Sequence, residues 1–573
     1  MEESDQTITA GGAIFARLKT LGIDYVFCNS GTDFPPIIEG LAEAAAKDEA
    51  LPQAIVIPHE HVAMGMAHGY WQATGKPQAV MLHTNVGLAN GAIGAINAAH
   101  DNVPMILMSG RTPATEYGKF GSRTVPIGWG QEMRDQTALV RESVKWDYEL
   151  KFGDQIVELL DRAVAISNSS PKGPTYLSLP REVLCDAINR STLSQPPTMV
   201  PSNASPLQAD IEQLAELIAA SEKPVIFSQR GTGTQRGFEA LTALVEQWAI
   251  PVNSYWAQSA AIPTHHPMHI GGNPEPWVSD ADLIICIDAL APWMPDHHVP
   301  QRDAKIVNIG PNPLFSRTPV RNFRSDLALA GDTTESILLL TKALANRSAD
   351  EDLIARRRQA VAEASAEFRK AQSAKAATGN KGPLSKNWVA QCISDAIERA
   401  ARKASITSEL GAPLGPMSID HFNGFRQEPH SGGLGYGLPA AMGIQLAEPD
   451  TLVFATVGDG SYVFANPTAC HQVCEALELP VITCVLNNGE WGAVRHSVTG
   501  LYPNGYAAKA NNMPLTSLQP SPDFCLVAQA SRAHAERVER GDELAATLDR
   551  AVDIAANERR QVLLDIQIDG EKP

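Results

Sequence analysis

A chain of 573 residues is too long for one hydrophobic core and predicts about three domains. Its 44% hydrophobic and 19% charged content is that of a globular enzyme, and its formal net charge of −18 excludes nucleic-acid and anionic-membrane partners, which need a basic footprint. No apolar stretch approaches the ~20 residues of a membrane span.

The opening MEESDQTITAGG is acidic and polar, unlike a signal or transit peptide, and predicts a cytoplasmic protein. A helical pattern over Gly12–Leu21 leads into the apolar run Tyr25–Cys28, and short apolar strands follow at 54–57, 78–82, 105–110 and 175–180. Strands apolar on both faces, alternating with helical stretches, predict a parallel sheet covered on both sides. This first unit, 1–192, ends in a Ser/Pro/Asn-rich linker, 193–204. The pattern restarts in a second unit, 205–345, with strands at 224–229, 250–256, 281–289 and 304–310. A charged helical stretch within the linker 346–379 leads to a third unit, 380–573, with strands at 451–458, 480–488 and 561–568. The expected fold class is α/β, three consecutive doubly wound parallel-sheet domains. The eight cysteines, Cys28 to Cys525, form no CxxC pair and read as buried thiols in a reducing compartment. Cys470, His471 and Cys474 read as packing rather than as zinc ligands.

In the third unit one strand ends in Gly458-Asp459-Gly460-Ser461, and the next ends in Asn487-Asn488-Gly489-Glu490, starting 28 residues beyond Asp459. Both ends fall at the carboxyl edge of a parallel sheet, where such sheets bind ligands. A carboxylate, an amide oxygen and a main-chain carbonyl are hard donors suited to Mg²⁺ or another divalent cation. The glycines allow backbone N–H groups to approach a diphosphate, with a helix N-terminus behind them. In the first unit Glu60 follows an apolar strand and opens a helix lined with Ala63, Gly65, Ala67 and Gly69, small enough for close packing on a neighbour. The middle unit has a GxGxxxG turn, Gly231 to Gly237, one residue longer than a dinucleotide fingerprint and without a following acidic strand end.

With these residues quoted, the sequence resembles the thiamine diphosphate-dependent enzyme superfamily, whose signature is GDG followed by NN. SGGLGYGLPAAMGIQLAEPDTLVFATVGDGS (431–461) is very similar to the corresponding block of benzoylformate decarboxylases and acetolactate synthases. The resemblance implies pyrimidine-binding, Rossmann-like middle and diphosphate-binding domains, in that order. It implies thiamine diphosphate and Mg²⁺ as cofactors, FAD being a lesser expectation for the middle domain. Asp459, Asn488 and the Glu490 carbonyl would be metal ligands. Gly411, Ala412, Gly432, Leu434, Gly458, Gly460 and Ser461 would meet the cofactor with them, Leu434 as the wedge beneath it and the Gly432 carbonyl as acceptor for its 4′-amino group.

Glu60 matches the family glutamate that bonds the pyrimidine N1′ and activates the cofactor. His83, ending the strand QAVMLH, matches a benzoylformate decarboxylase histidine that acetolactate synthases usually lack. His297 in APWMPDHH matches a second one, with His298 as the alternative, and Thr32 in NSGTD matches a serine that touches substrate carboxylate. In NNGEWGAVRHSV, Ala493 fits, but Ser497 replaces a pocket phenylalanine, which points away from aryl substrates; the segment 501–515 can close the site differently.

The implied activity is C–C bond chemistry on a 2-oxo acid or aldehyde through a C2 enamine. Nonoxidative decarboxylation is expected first, acetolactate synthase-like carboligation second, and a flavin-dependent oxidoreductase or a non-catalytic cofactor-binding scaffold after these. Glu60 and the metal site come from different subunits in the family, which implies a homodimer at minimum and commonly a homotetramer.

Overall fold

The computed structural model describes residues 6–381, 383–510 and 513–569. The first five residues of the acidic opening, Asn511 and Asn512 of the 501–515 segment, and the last four residues of the third predicted unit lie outside them. In chain order the first strands are β1 (Thr7–Thr9), β2 (Tyr25–Cys28), β3 (Gln53–Val56), β4 (Gln78–Leu82), β5 (Met105–Arg111), β6 (Asp147–Glu149), β7 (Thr175–Pro180) and β8 (Ala187–Asn189). Six of them form a wholly parallel sheet in the order β3-β2-β4-β5-β7-β6, with β1 and β8 paired as a small antiparallel ribbon. The middle sheet is also parallel, β10-β9-β11-β12-β13, from β9 (Pro224–Ser228), β10 (Val252–Asn253), β11 (Leu283–Ile287), β12 (Lys305–Gly310) and β13 (Leu327–Ala330). The third, β15-β14-β16-β17-β19-β18, joins β14 (Ala404–Glu409), β15 (Phe425–Gln427), β16 (Leu452–Gly458), β17 (Ile482–Asn487), β18 (His534–Val538) and β19 (Val562–Gln567), again all parallel. The three α/β domains expected from the sequence are therefore present.

Central strands such as β4, β11 and β14 are buried along their whole length, as strands covered on both faces must be. The run IPVNSYW, read as a strand over 250–256, gives only the two residues of β10, because Trp256 takes a left-handed backbone (φ 48°) that breaks the extended run.

The chain divides into two compact units. The first comprises Met1–Ser202 with Pro429–Pro449 and Phe464–Leu479, and the second comprises Asn203–Glu428, Asp450–Val463 and Pro480–Pro573. In the first unit a fully buried pair, Arg17 and Asp161, bonds bidentately at 2.6 Å. Arg17 also donates to the Leu193 and Gln195 carbonyls, and Asp161 accepts from the Thr198 amide, so the pair pins the start of the linker. The neighbour anticipated for the small-residue helix Glu60–Thr74 is the helix Gly437–Ala447. A methyl at Gly69 would strike the Ala440 carbonyl, one at Gly65 the Pro439 ring, and one at Gly443 the Met66 carbonyl. In the second unit the Gly231 turn is packed full. Side chains at Gly231 and Gly233 would press on Ser259 and Thr334, and both glycines have positive φ.

Gly69→Ala forces a methyl against a backbone oxygen that no rotamer change can move. We expect it to destabilise the fold by about 1–3 kcal/mol, and Gly443→Ala comparably. Chemical denaturation of the two variants measures this, and a change within about 0.5 kcal/mol refutes the packing account.

Candidate active site

Parallel strands end on one edge, and in the first sheet that edge gathers the polar residues. β2 leads into Thr32 and Asp33, β3 into Glu60, β4 into His83, β5 ends at Arg111 and β7 leads into Arg181. Glu60 is the first residue of its helix and is buried. Its Oε2 accepts from Asn90 Nδ2 at 3.1 Å, and a side chain at Gly87 would press on Oε1, so the glycine keeps room beside the carboxyl.

His83 Nδ1–H donates to Asp33 Oδ1 in a very short contact. That bond raises the His83 pKa against the opposing effect of burial, with the charges of Asp33 and Glu60 adding to it. Nε2 faces the Gln131 amide at 3.2 Å, a group that can turn its NH₂ to a neutral ring or its oxygen to a protonated one. The glycines at 31 and 110 make this possible: a methyl at Gly31 would overlap the His83 ring, and one at Gly110 the Asp33 carboxylate. Thr32 is exposed beside them and borders the same pocket as Asp33 and Gln131.

The segment of Leu434 lies against the helix that Glu60 opens. His61 Nε2–H donates to the Leu434 carbonyl at 3.1 Å. Burial lowers the His61 pKa to about 4, so the ring is neutral near pH 7. Asn97 Nδ2 donates to the Gly433 carbonyl at 2.9 Å and its Oδ1 accepts from the Ser431 hydroxyl at 2.7 Å. Gly432 holds φ 68°, a left-handed position that a side chain resists.

The second unit builds the other set at the carboxyl edge of the third sheet. Gly411 and Ala412 follow β14, Asp459 follows β16, and Asn488 to Glu490 follow β17; β14, β16 and β17 are adjacent. The chain reverses direction of winding between β14 and β16, the switch point at which open sheets bind ligands. Asp459 Oδ2 accepts from the Gly489 amide at 2.9 Å, which brings the two strand ends together. Burial lifts its pKa to about 6. The Asn488 Oδ1 accepts from the Glu490 amide at 3.1 Å, and the Glu490 carbonyl accepts from the Gly492 amide at 2.8 Å while its carboxylate is clamped by Arg495. Trp491 covers Gly460, where any side chain would collide with the indole. Ser461 is buried, and its Oγ has no hydrogen-bond partner, as an acceptor-rich diphosphate would require. Among the described residues no three His, Cys, Asp or Glu gather into a metal cluster; the anticipated set contains a single carboxylate, Asp459, with amide and carbonyl oxygens.

An open cavity is bounded by Gly411, Ala412, Tyr255, Trp256 and Glu428. Glu428, absent from the sequence reading, accepts from the Leu410 amide and has its pKa raised by burial. His297 does not border this cavity and stands exposed on the turn after β11. His298 is bound to its own turn, its Nδ1 accepting from the Met294 amide at 3.0 Å. Ser497 is exposed on the helix Gly492–Leu501, none of whose residues is buried. Asp33, Gln131 and Glu428 are the site residues that sequence reasoning missed. Asp33 adjoins Thr32 in NSGTD, and that adjacency was the available signal.

Three family descriptions match consecutive parts of the chain: thiamine pyrophosphate enzyme, N-terminal TPP binding domain, residues 8–139; central domain, residues 211–340; and C-terminal TPP binding domain, residues 417–566. The chain is 27% identical to the probable 2-ketoarginine decarboxylase of Pseudomonas aeruginosa, over 95% of this chain and 91% of that one. It is 25% identical to the benzoylformate decarboxylase of the same species, over 99% and 100%. It is also 25% identical to the acetolactate synthase isozyme 3 large subunit of Escherichia coli, over 99% and 96%. The solved structure of a thiamine diphosphate-dependent 4-hydroxybenzoylformate decarboxylase from Rhodococcus jostii superposes with a TM-score of 0.78 at 21% identity, over 99% and 100%.

Two pH effects follow. His83 keeps its proton to higher pH than an ordinary histidine because Asp33 accepts from it. Asp33→Asn is therefore expected to lower the His83 pKa, visible as a shift of its NMR titration to lower pH. The buried neutral His61 acts on stability with the opposite sign. Its folded pKa of about 4 lies below the ordinary 6.5, so its contribution is present above pH 6.5 and is lost as pH falls toward 4. His61→Gln, which keeps a donor but does not titrate, should flatten that part of the stability–pH curve.

Proposed function

The chain belongs to the thiamine pyrophosphate enzyme family, and from that premise we propose that it catalyses the nonoxidative decarboxylation of a 2-oxo acid. The observation that carries this reading is the His83–Asp33 pair at the carboxyl edge of the first sheet. Decarboxylation needs a group that delivers a proton where carbon dioxide has departed, and an imidazole oriented through its Nδ1 presents Nε2 for that transfer.

The residues fit the family cofactor. Ser461 Oγ and the backbone at Gly411, Ala412, Gly458 and Gly460 would receive the diphosphate. Asp459, Asn488 and the Glu490 carbonyl would hold the divalent cation, and Gly432, Leu434 and Glu60 the pyrimidine ring. When bound, the cofactor supplies an electron sink beside the substrate carbonyl. Glu60 holds a proton at a buried carboxyl fixed by Asn90, His83 moves one at Nε2, and Thr32 orients the substrate carboxylate. The closed packing of Gly231 and Gly233 gives a structural reason for the middle-domain glycines and takes support from the flavin reading. A carboligase reading keeps the support of the near full-length similarity to acetolactate synthases.

Purified protein with thiamine pyrophosphate, Mg²⁺ and a panel of 2-oxo acids and aldehydes is expected to release carbon dioxide, with products identified by mass spectrometry. Glu60→Gln should lower kcat by about 10²–10⁴-fold with the far-UV spectrum unchanged, and undiminished turnover in that variant refutes the mechanism.

A further inference from the structure

The pocket beside His83 carries more positive charge than the reaction requires. Arg111, Arg123 and Arg181 all border it, together with Thr32, Thr84 and Gln131. Two of the arginines are spoken for. Arg111 bonds Glu132 at 2.7 Å and closely meets Glu149, and Arg123 closely meets the same Glu132. Arg181 differs, since its guanidinium donates only to carbonyls: Gly121 at 3.0 Å, Thr32 at 3.2 Å, and Ser122. No carboxylate pairs with it among the described residues. Three of its five N–H donors are used, which leaves part of a planar fork for an anion.

A second observation points to a ligand. Thr84 is 2% exposed, its hydroxyl has no hydrogen-bond partner, and its backbone is left-handed (φ 42°). A β-branched residue held there is strained, and a buried hydroxyl without a partner costs stability, so the fold maintains both for some purpose. Asp33 also borders the pocket; its Oδ1 is engaged by His83, and its Oδ2 is buried without a hydrogen-bond partner.

We propose that this pocket binds a second, non-reacting acidic group of the substrate, so that the preferred substrate is a small 2-oxo acid carrying a distal carboxylate, sulfonate or phosphonate. The inference rests on the decarboxylase reading above. The group held by Arg181 is not the carboxylate that leaves. An ion pair to that carboxylate is strongest in the ground state and vanishes as the charge departs with carbon dioxide, so it would raise the barrier. An acid retained through turnover is bound equally throughout and raises kcat/KM. Thr84 and Gln131 supply neutral donors that need not follow the charge.

The test compares kcat/KM for 2-oxopentanedioate, 3-sulfo-2-oxopropanoate and 3-phosphono-2-oxopropanoate with size-matched 2-oxopentanoate and 2-oxobutanoate. At least one diacid should exceed its monoacid match by about tenfold or more, a typical contribution of a charge-assisted bond. The diacid of highest kcat/KM identifies the acid class. Arg181→Gln should reduce the diacid-to-monoacid ratio by about the same factor, and Arg181→Lys should restore part of it. Non-reacting glutarate should bind wild-type protein in calorimetry more tightly than pentanoate, and lose that advantage in Arg181→Gln. Equal or better use of monoacids by the wild type overturns the proposal. So does an Arg181→Gln variant that lowers all substrates alike with a lowered Tm, since that marks Arg181 as a brace for the 121–122 loop. If no 2-oxo acid releases carbon dioxide, the decarboxylase reading fails, while the glutarate measurement still decides whether the anion site exists.

Discussion

The helix Glu60–Thr74 can lie against Gly437–Ala447 only because glycines stand at the points of closest approach. Gly65 and Gly69 on one and Gly443 on the other bring backbone against Pro439, Ala440 and Met66. This close approach fixes where Glu60 stands, since the carboxyl is the first residue of the packed helix. It also fixes the Leu434 segment, which enters the second helix and is tied back by His61 and Asn97. A larger residue at the crossing would displace Glu60 and the Leu434 segment together, so one packing constraint sets the place of both candidate site elements.

Around that crossing the chain buries polar groups and satisfies most of them. Asn90 holds Glu60, Asp33 holds His83, and the His61 ring stays neutral, because charging it inside an apolar setting costs more than its backbone hydrogen bonds return. Some buried polar atoms without a partner, Ser178 Oγ and Asn308 Nδ2, lie within strands, while Asp33 Oδ2, Thr84 Oγ1 and Ser461 Oγ stand beyond strand ends. Deep in a sheet such an atom would only weaken the fold, whereas at a carboxyl edge it is within reach of a ligand.

The sequence announced features that are contiguous and set by backbone geometry. Gly458–Ser461 and Asn487–Glu490 were readable because glycine, carboxylate and amide must follow strands at fixed places, and the β4 run QAVML because every residue is buried. β14, ASITSE, was not read as a strand: four of its six residues are Ser, Thr or Glu, and only its central place in the sheet makes them buried. Trp256 shortened another expected strand through a backbone angle that composition does not encode. His297 matched by position, yet its turn leaves it exposed. Asp33, Gln131 and Arg181 looked like ordinary loop polar residues, since what distinguishes them is convergence from three separate segments.

That convergence also explains why the enzyme family was legible and the substrate was not. Cofactor binding draws on short motifs at two strand ends, each held within a few residues. On the anion-site proposal, substrate choice draws on the 111–131 segment folding over the edge of the first sheet, where Arg123 stacks on Trp129 and Glu132 joins two arginines, and on a single guanidinium arriving after β7. A glutamate that neutralises two arginines and a carbonyl cluster that leaves a third uncompensated differ only in three dimensions. The residue most able to set specificity is therefore the one whose charge the loop leaves unanswered, and no local pattern in the chain marks it.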